Sequence, residues 1–305
     1  MNVAALGAAE LRNRLHGDGL VYRVGPYAVR LRSSIDQVLS AFSCLYADYP
    51  VEPDDGFADF HVYVHRPKNL RRWYRPQAIF EFDGKVPFKP LPFSQSYPFF
   101  EWGLNWCVSN HISNHLIIHS AVLENRGQAV VMPGNPGVGK STLCAALMLR
   151  GWRLLTDELG MLSVDDCLFA PVPRPVSLKN NSIDLIANFA PEAVIGPRCE
   201  DTVKGTVAHV RAPADSVARA AEKATPRLVV LPQYVEGANA QLIPLSRPEA
   251  AMQIAGNTFN YSRLGLQGFA TLTRMIDGCR CFEFRYSRLD DAIDTFEQLL
   301  VGGEG

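Results

Sequence analysis

Between residues 128 and 150 the chain reads "QAVVMPGNPGVGKSTLCAALMLR", and this stretch limits the available folds more than any other. An apolar run that reads as a buried strand leads into Gly134-x-x-x-x-Gly139-Lys140-Ser141, and a helical pattern follows at once. A strand turning through glycines directly into a helix belongs to a sheet covered by helices, because both apolar faces need burial against one another. Glycines let such a loop wrap closely, so that its N–H groups converge on phosphate oxygens. The helix adds its positive N-terminal end. Gly134, Asn135, Pro136, Gly137, Val138, Gly139, Lys140, Ser141 and Thr142 are therefore the candidate phosphate contacts. Lys140 is expected to neutralise the β and γ phosphates of ATP, and the Ser141 hydroxyl to ligate Mg²⁺.

In a sheet with crossover helices, ligands collect at the carboxyl ends of strands. The strand "WRLLT" delivers Asp157 and Glu158 to such an end, Asp157 standing seventeen positions beyond Lys140. A carboxylate there can hold Mg²⁺ or accept a proton. In "LIIHSAVLE", strand alternation places Ile117, His119 and Ala121 on one face, and Leu116, Ile118 and Ser120 on the other. A lone histidine in an apolar strand is commonly a satisfied core residue. This strand, however, is expected to hairpin through Asn125-Arg126-Gly127 onto the strand that feeds the loop. That pairing would bring the imidazole within reach of a γ-phosphate or a carboxylate.

Residues 1–105 read as a smaller α+β unit, with residues 106–305 as the phosphate-loop domain. In the first, two strands flank Gly25-Pro26, a helix follows with Ser34 and Gln37 spaced as a capping box, "DFHVYVHRP" alternates as a strand, and Asp83-Gly84 turns a hairpin. Trp73, Tyr74, Trp102 and Trp106 are expected in a core. In the second, Ser246 and Glu249 form another capping box before a helix, and strand "CRCFEFRY" precedes the amphipathic "LDDAIDTFEQLL".

A net charge of −1 points away from nucleic acid as a partner, and no apolar run approaches the roughly eighteen residues of a membrane span. The first residues lack a basic segment followed by an apolar one, so the expectation is a cytoplasmic protein. Seven scattered cysteines without metal spacing read as thiols rather than as a metal or disulfide framework.

The ordered set His119, Gly134–Ser141 and Asp157-Glu158 resembles the catalytic core of HPr kinase/phosphorylase. More closely, "EWGLNWCVSN", "KSTLCAALMLRGWRLLTDE", "RPVSLKNNSIDLI" and "KGTVAHVRAP" resemble the HPr-kinase-related kinase A group, across nearly the whole chain. The resemblance implies an α/β, phosphoenolpyruvate-carboxykinase-like P-loop fold with a mixed sheet. It also implies that His119 tunes or shuttles protons while Asp157 acts as base and metal contact. Glu158 stands where those kinases carry a second aspartate; it keeps the charge and moves it outward by one methylene. Lys179 and Lys204 become candidates for neutralising developing charge. The implied setting includes a PqqD-like peptide chaperone and a nucleotidyltransferase, and a homo-oligomer.

Together these readings lead to an ATP- and Mg²⁺-dependent kinase acting on a hydroxyl, serine or threonine, of a protein or peptide. A nucleotide-gated peptide-binding module and a small-molecule kinase are the alternatives.

Overall fold

The computed structural model describes residues 1–53, 56–135 and 137–301. Pro136, one of the expected phosphate contacts, lies outside the described residues. The chain builds two compact units and passes between them three times: Met1–Val108 and Ser177–Ala218 make the first, Ser109–Val176 and the residues from Arg219 onward the second.

The first unit begins with α1 (Ala8–His16), β1 (Leu20–Val24), β2 (Tyr27–Ser33), α2 (Asp36–Leu45), β3 (Phe60–His65), β4 (Gln77–Phe82), β5 (Leu91–Pro92) and α3 (Ser96–His111). Strands β1 to β5 form one sheet in that order, antiparallel except for the β2–β3 pair. Asp83 and Gly84 both have positive φ, 46° and 75°, as a two-residue hairpin turn demands. The core is aromatic: Phe42 stacks on Tyr46 at 4.7 Å and meets Tyr22 edge-on at 5.0 Å.

Two expectations fail here. The Ser34–Gln37 capping box does not form; Ile35 is the N-cap of α2 and no side chain caps it. Gln37 instead accepts a hydrogen bond from Ser96 at 3.3 Å, and the Ser34 N–H is used by the Val64 carbonyl. Trp73 and Tyr74 are not core residues, being 72% and 68% exposed. They follow a single 3-10 turn, Leu70–Arg72, in a segment with Arg66, Lys68, Arg71, Arg72 and Arg75 and no acidic residue. Cations that dense keep the loop in water, and Arg72 and Arg75 lie over the two rings at 5.8 and 5.7 Å. Trp102 and Trp106 are half-buried, Trp106 packing edge-on against Phe82 and Phe88.

The second unit takes up the chain with β6 (His115–Asn125), the Arg126-Gly127 turn, β7 (Gln128–Pro133), α4 (Lys140–Leu149), β8 (Arg153–Thr156), β9 (Leu159–Ser163) and β10 (Phe169–Ala170). The chain then returns to the first unit for β11 (Val176–Lys179), α5 (Asn181–Phe189), β12 (Cys199–Thr202), β13 (Gly205–Val210) and α6 (Ala214–Ala218). These three strands make a small sheet of order β11-β13-β12. Within that unit Gln95 donates to the Asp201 carbonyl at 2.9 Å, Arg211 pairs with Asp48, and Tyr97 meets His209 edge-on. The span expected as one domain from 106 to 305 is thus interrupted, with 177–218 grouped with the N-terminal residues.

The last segment supplies β14 (Thr225–Tyr234), β15 (Gln241–Pro244), α7 (Arg247–Ala255), α8 (Tyr261–Leu264), α9 (Leu266–Asp277), β16 (Arg280–Tyr286) and α10 (Leu289–Val301). The Ser246–Glu249 capping box is present at α7. An eight-stranded sheet runs β10-β9-β6-β7-β14-β16-β15, with β8 also against β6. The β7–β14 and β14–β16 pairs are parallel and the others antiparallel, so the fold is α/β with a mixed sheet, as expected. On one face Leu116, Ile118, Val131 and Val229 pack with Ile254 of α7 and Leu272 and Met275 of α9. On the other, Phe296 of α10 packs edge-on against both Trp152 and Phe284. No helix among the described residues is long and apolar enough to cross a membrane, and no disulfide joins the cysteines.

Candidate active site

The register of the sheet gathers the chemistry at one edge of the second unit. Strand β7 ends at Pro133, opposite Ser120 of β6. On the other side of β6, His119 faces Leu159 and Val122 faces Thr156, so the Asp157-Glu158 turn between β8 and β9 lies at that same edge. Where β7 leaves the sheet, residues 257–260 take its place beside β6. The His119 N–H donates to the Asn257 carbonyl at 2.6 Å and the Phe259 N–H to Ile117 at 2.9 Å. Asn260, buried, accepts from the Ile117 N–H at 2.9 Å and donates to the His115 carbonyl at 2.8 Å.

The loop between β7 and α4 needs its glycines. Gly137 and Gly139 have φ of 96° and 94°, a region that side chains with Cβ seldom adopt. A Cβ on Gly139 would also sit 2.6 Å from the Tyr286 hydroxyl. Two strand ends hold the loop: the Tyr234 N–H donates to the Val138 carbonyl at 3.1 Å, and the Tyr286 hydroxyl to the Gly139 carbonyl at 3.2 Å. Burial, and then the neighbouring Tyr234, push the Tyr286 phenol well above its ordinary pKa, so it remains a donor.

At the start of α4, Lys140 is only 7% exposed, and its Nζ has no hydrogen-bond partner among the described residues. A buried ammonium left so is costly unless a ligand supplies the counter-charge. Together with the left-handed glycines and the helix N-terminus, this fits a phosphate chain. Ser141 and Thr142 are half-buried in the first turn of α4.

Asp157 is 5% exposed, and its charge acts on the buried thiol of Cys144, one helical turn beyond Lys140. Burial first, and then the Asp157 charge, raise the Cys144 pKa well above its usual value, while Lys140 opposes them. The turn carrying Asp157 is set by Thr156, whose hydroxyl accepts from the N–H groups of Glu158 (3.3 Å) and Leu159 (3.1 Å). Beneath it, Arg153 of β8 pairs with Glu124 of β6 at 2.5 Å with both side chains buried, and donates to the carbonyls of Arg219 and Glu222. The His119 Nε2 lies 3.2 Å from Glu158 Oε2, with both side chains about a quarter exposed, and the Phe259 ring centroid is 5.6 Å from the imidazole.

Of the residues expected from sequence, His119, Gly134, Asn135, Gly137–Thr142, Asp157 and Glu158 thus share one edge of one unit. Lys179 and Lys204 belong to the other unit. Lys204 Nζ stands 5.0 Å from the Trp102 ring centroid, and the backbone of Lys179 bonds Ser182. Sequence reasoning missed Cys144, Tyr234, Asn257, Asn260 and Tyr286. Cys144 had the one usable signal, its i+4 position from Lys140.

Beside the loop a cleft of about 290 Å³ is lined by Pro133, Gly134 and Asn135 on one side and by Gln233, Gln253, Asn257, Glu283 and Arg285 on the other. Among the described residues no group of three or more His, Cys, Asp or Glu could hold a metal ion by itself. A magnesium ion here would therefore depend on phosphate oxygens together with Ser141 and Asp157.

No protein-family model and no curated protein matches the chain. Among solved structures, the chain is similar to the Hpr(Ser) kinase/phosphatase from Coxiella burnetii, at 14% identity and a TM-score of 0.27, over 61% of this chain and 99% of that one.

Proposed function

We propose that the second unit is a kinase that transfers the γ-phosphoryl group of ATP to a hydroxyl, serine or threonine, of a protein or peptide. The observation that carries this reading is the convergence, on one sheet edge, of a buried Lys140 whose Nζ has no hydrogen-bond partner among the described residues, a buried Asp157 and the His119–Glu158 pair. Binding alone needs the loop and the lysine. Transfer also needs a base beside the acceptor, and this edge supplies two candidates.

In this reading the N–H groups of the loop and the start of α4 hold the phosphates, and Lys140 neutralises the β and γ groups. Magnesium held by Ser141 and Asp157 would draw charge from the leaving phosphate oxygen. Asp157 takes the proton of the acceptor hydroxyl as its oxygen bonds to the γ phosphorus. The bond from that phosphorus to the β–γ bridging oxygen breaks, and its electron pair leaves with ADP. His119, held by Glu158, orients the acceptor or relays the proton. A PqqD-like peptide chaperone and a nucleotidyltransferase remain proposed partners, on the strength of the sequence resemblance alone.

Single-turnover labelling with γ-³²P-ATP and candidate peptides tests the reading. Lys140→Ala should abolish nucleotide binding, whereas Asp157→Asn should bind MgATP and lose transfer. Undiminished transfer by Asp157→Asn would remove its assignment as the base. Tight ATP binding with no labelled acceptor, and a partner affinity that shifts with nucleotide, would favour a nucleotide-gated binding module instead.

A further inference from the structure

We propose that Arg285 reads the terminal phosphate of the bound triphosphate from the far wall of the cleft beside the loop. The inference rests on the nucleotide-binding reading above and deepens it, because it names the group that tells a triphosphate from a diphosphate.

The position of Arg285 is fixed by its neighbours. Strands β14 and β16 are parallel, with Gln233 opposite Arg285 and Tyr234 opposite Tyr286. The next residue on each strand grips the loop: the Tyr234 N–H bonds Val138, and the Tyr286 hydroxyl bonds Gly139. The backbone of Arg285 is therefore one residue from an anchor on the phosphate loop. Alternation turns Arg285 and Glu283 to the face opposite Phe284 and Tyr286. On that face the cleft opens, with Gly134 and Asn135 as its other wall.

The guanidinium is uncommitted. Arg285 is exposed, and no hydrogen bond or ion pair engages its side chain among the described residues. Most other arginines of this unit are occupied: Arg153 with Glu124, Arg219 with Glu222, Arg263 with three carbonyls, Arg274 with two. Lys140 gives the edge a buried positive charge, which the α4 N-terminus supplements at the inner phosphates. A γ-phosphate at the cleft side of the loop needs a further cation, and a guanidinium fork matches two phosphate oxygens at once. A diphosphate held on Lys140 and the helix end stops short of this wall.

Titration calorimetry with two probes, MgADP and magnesium β,γ-imido-ATP, on the full chain decides the matter. Arg285→Ala should weaken the imido-ATP complex about 10- to 100-fold while leaving MgADP affinity within about twofold. Arg285→Lys should recover part of the loss, because it keeps the charge without the fork. The MgADP arm also reports whether the variant has kept its loop. Equal weakening toward both nucleotides would assign Arg285 a structural role and overturn the inference, as would no change toward either. If the unaltered protein binds neither probe, the nucleotide-binding reading itself fails and takes this inference with it.

Discussion

The hydroxyl of Tyr286 donates to the carbonyl of Gly139 across 3.2 Å, tying the last strand of the sheet to the residue that precedes Lys140. The loop is therefore held from its outer side as well as by the strand and helix it joins. Tyr286→Phe keeps the ring packing and removes only this bond. A single neutral hydrogen bond contributes about 0.5–1.5 kcal/mol, so MgADP affinity should fall roughly two- to tenfold. Unchanged affinity in a calorimetric titration would mean that the tether does not hold the loop in its binding conformation.

Gly139→Ala should be far more damaging than its one added carbon suggests. The new Cβ would meet the Tyr286 hydroxyl at 2.6 Å and the Tyr234 Cβ at 3.2 Å, on a backbone at φ 94°. Relief requires the loop to leave both strand ends. The variant should show no rise in melting temperature with MgATP, where the unaltered protein shows one.

Much of this edge was legible from residue types alone, and the reasons divide cleanly. Lys140, Ser141, Asp157 and Glu158 stood out because a loop flanked by a strand and a helix leaves few places for a nucleotide, and the next strand end is one of them. His119 was legible only through the hairpin, since its pairing with Glu158 joins residues thirty-nine positions apart. Asn260 and Tyr286 were not legible: each acts through contacts with β6 or the loop across more than 140 residues. The Ser34–Gln37 spacing misled because Gln37 is claimed by Ser96, a competitor that no local pattern reveals. Trp73 and Tyr74 misled for the opposite reason, as the surrounding arginines outweigh the hydrophobicity of the rings.

Glu124 lies away from the edge that carries Lys140 and Asp157 and yet supports it. Its carboxylate accepts from Arg153 at 2.5 Å and from the Gly127 N–H at 2.6 Å, joining β8 and the β6–β7 turn. Glu124→Ala would leave a buried guanidinium without its counter-charge, at a cost of about 3–5 kcal/mol. Urea unfolding measures this directly. A loss below about 1 kcal/mol would mean that water reaches Arg153 in the variant.

His119 and Glu158 should behave as a unit. If they act on the same proton, His119→Gln and Glu158→Gln each lower single-turnover transfer, the histidine change by about 10²–10⁴. The double substitution should then cost little more than His119→Gln, since residues in contact are not additive. Strictly multiplicative losses would show that the two side chains serve separate steps.

The route of the chain between the two units sets a condition on how the protein can be made in pieces. The strands between Val176 and Val210 are claimed by the N-terminal sheet's unit, through Arg211 with Asp48 and Gln95 with Asp201, but they are translated after the phosphate loop. A ribosome therefore releases the first hundred residues well before their remaining partners exist. An expression fragment cut near residue 105 would separate the two halves of one unit, whichever side of the cut is kept.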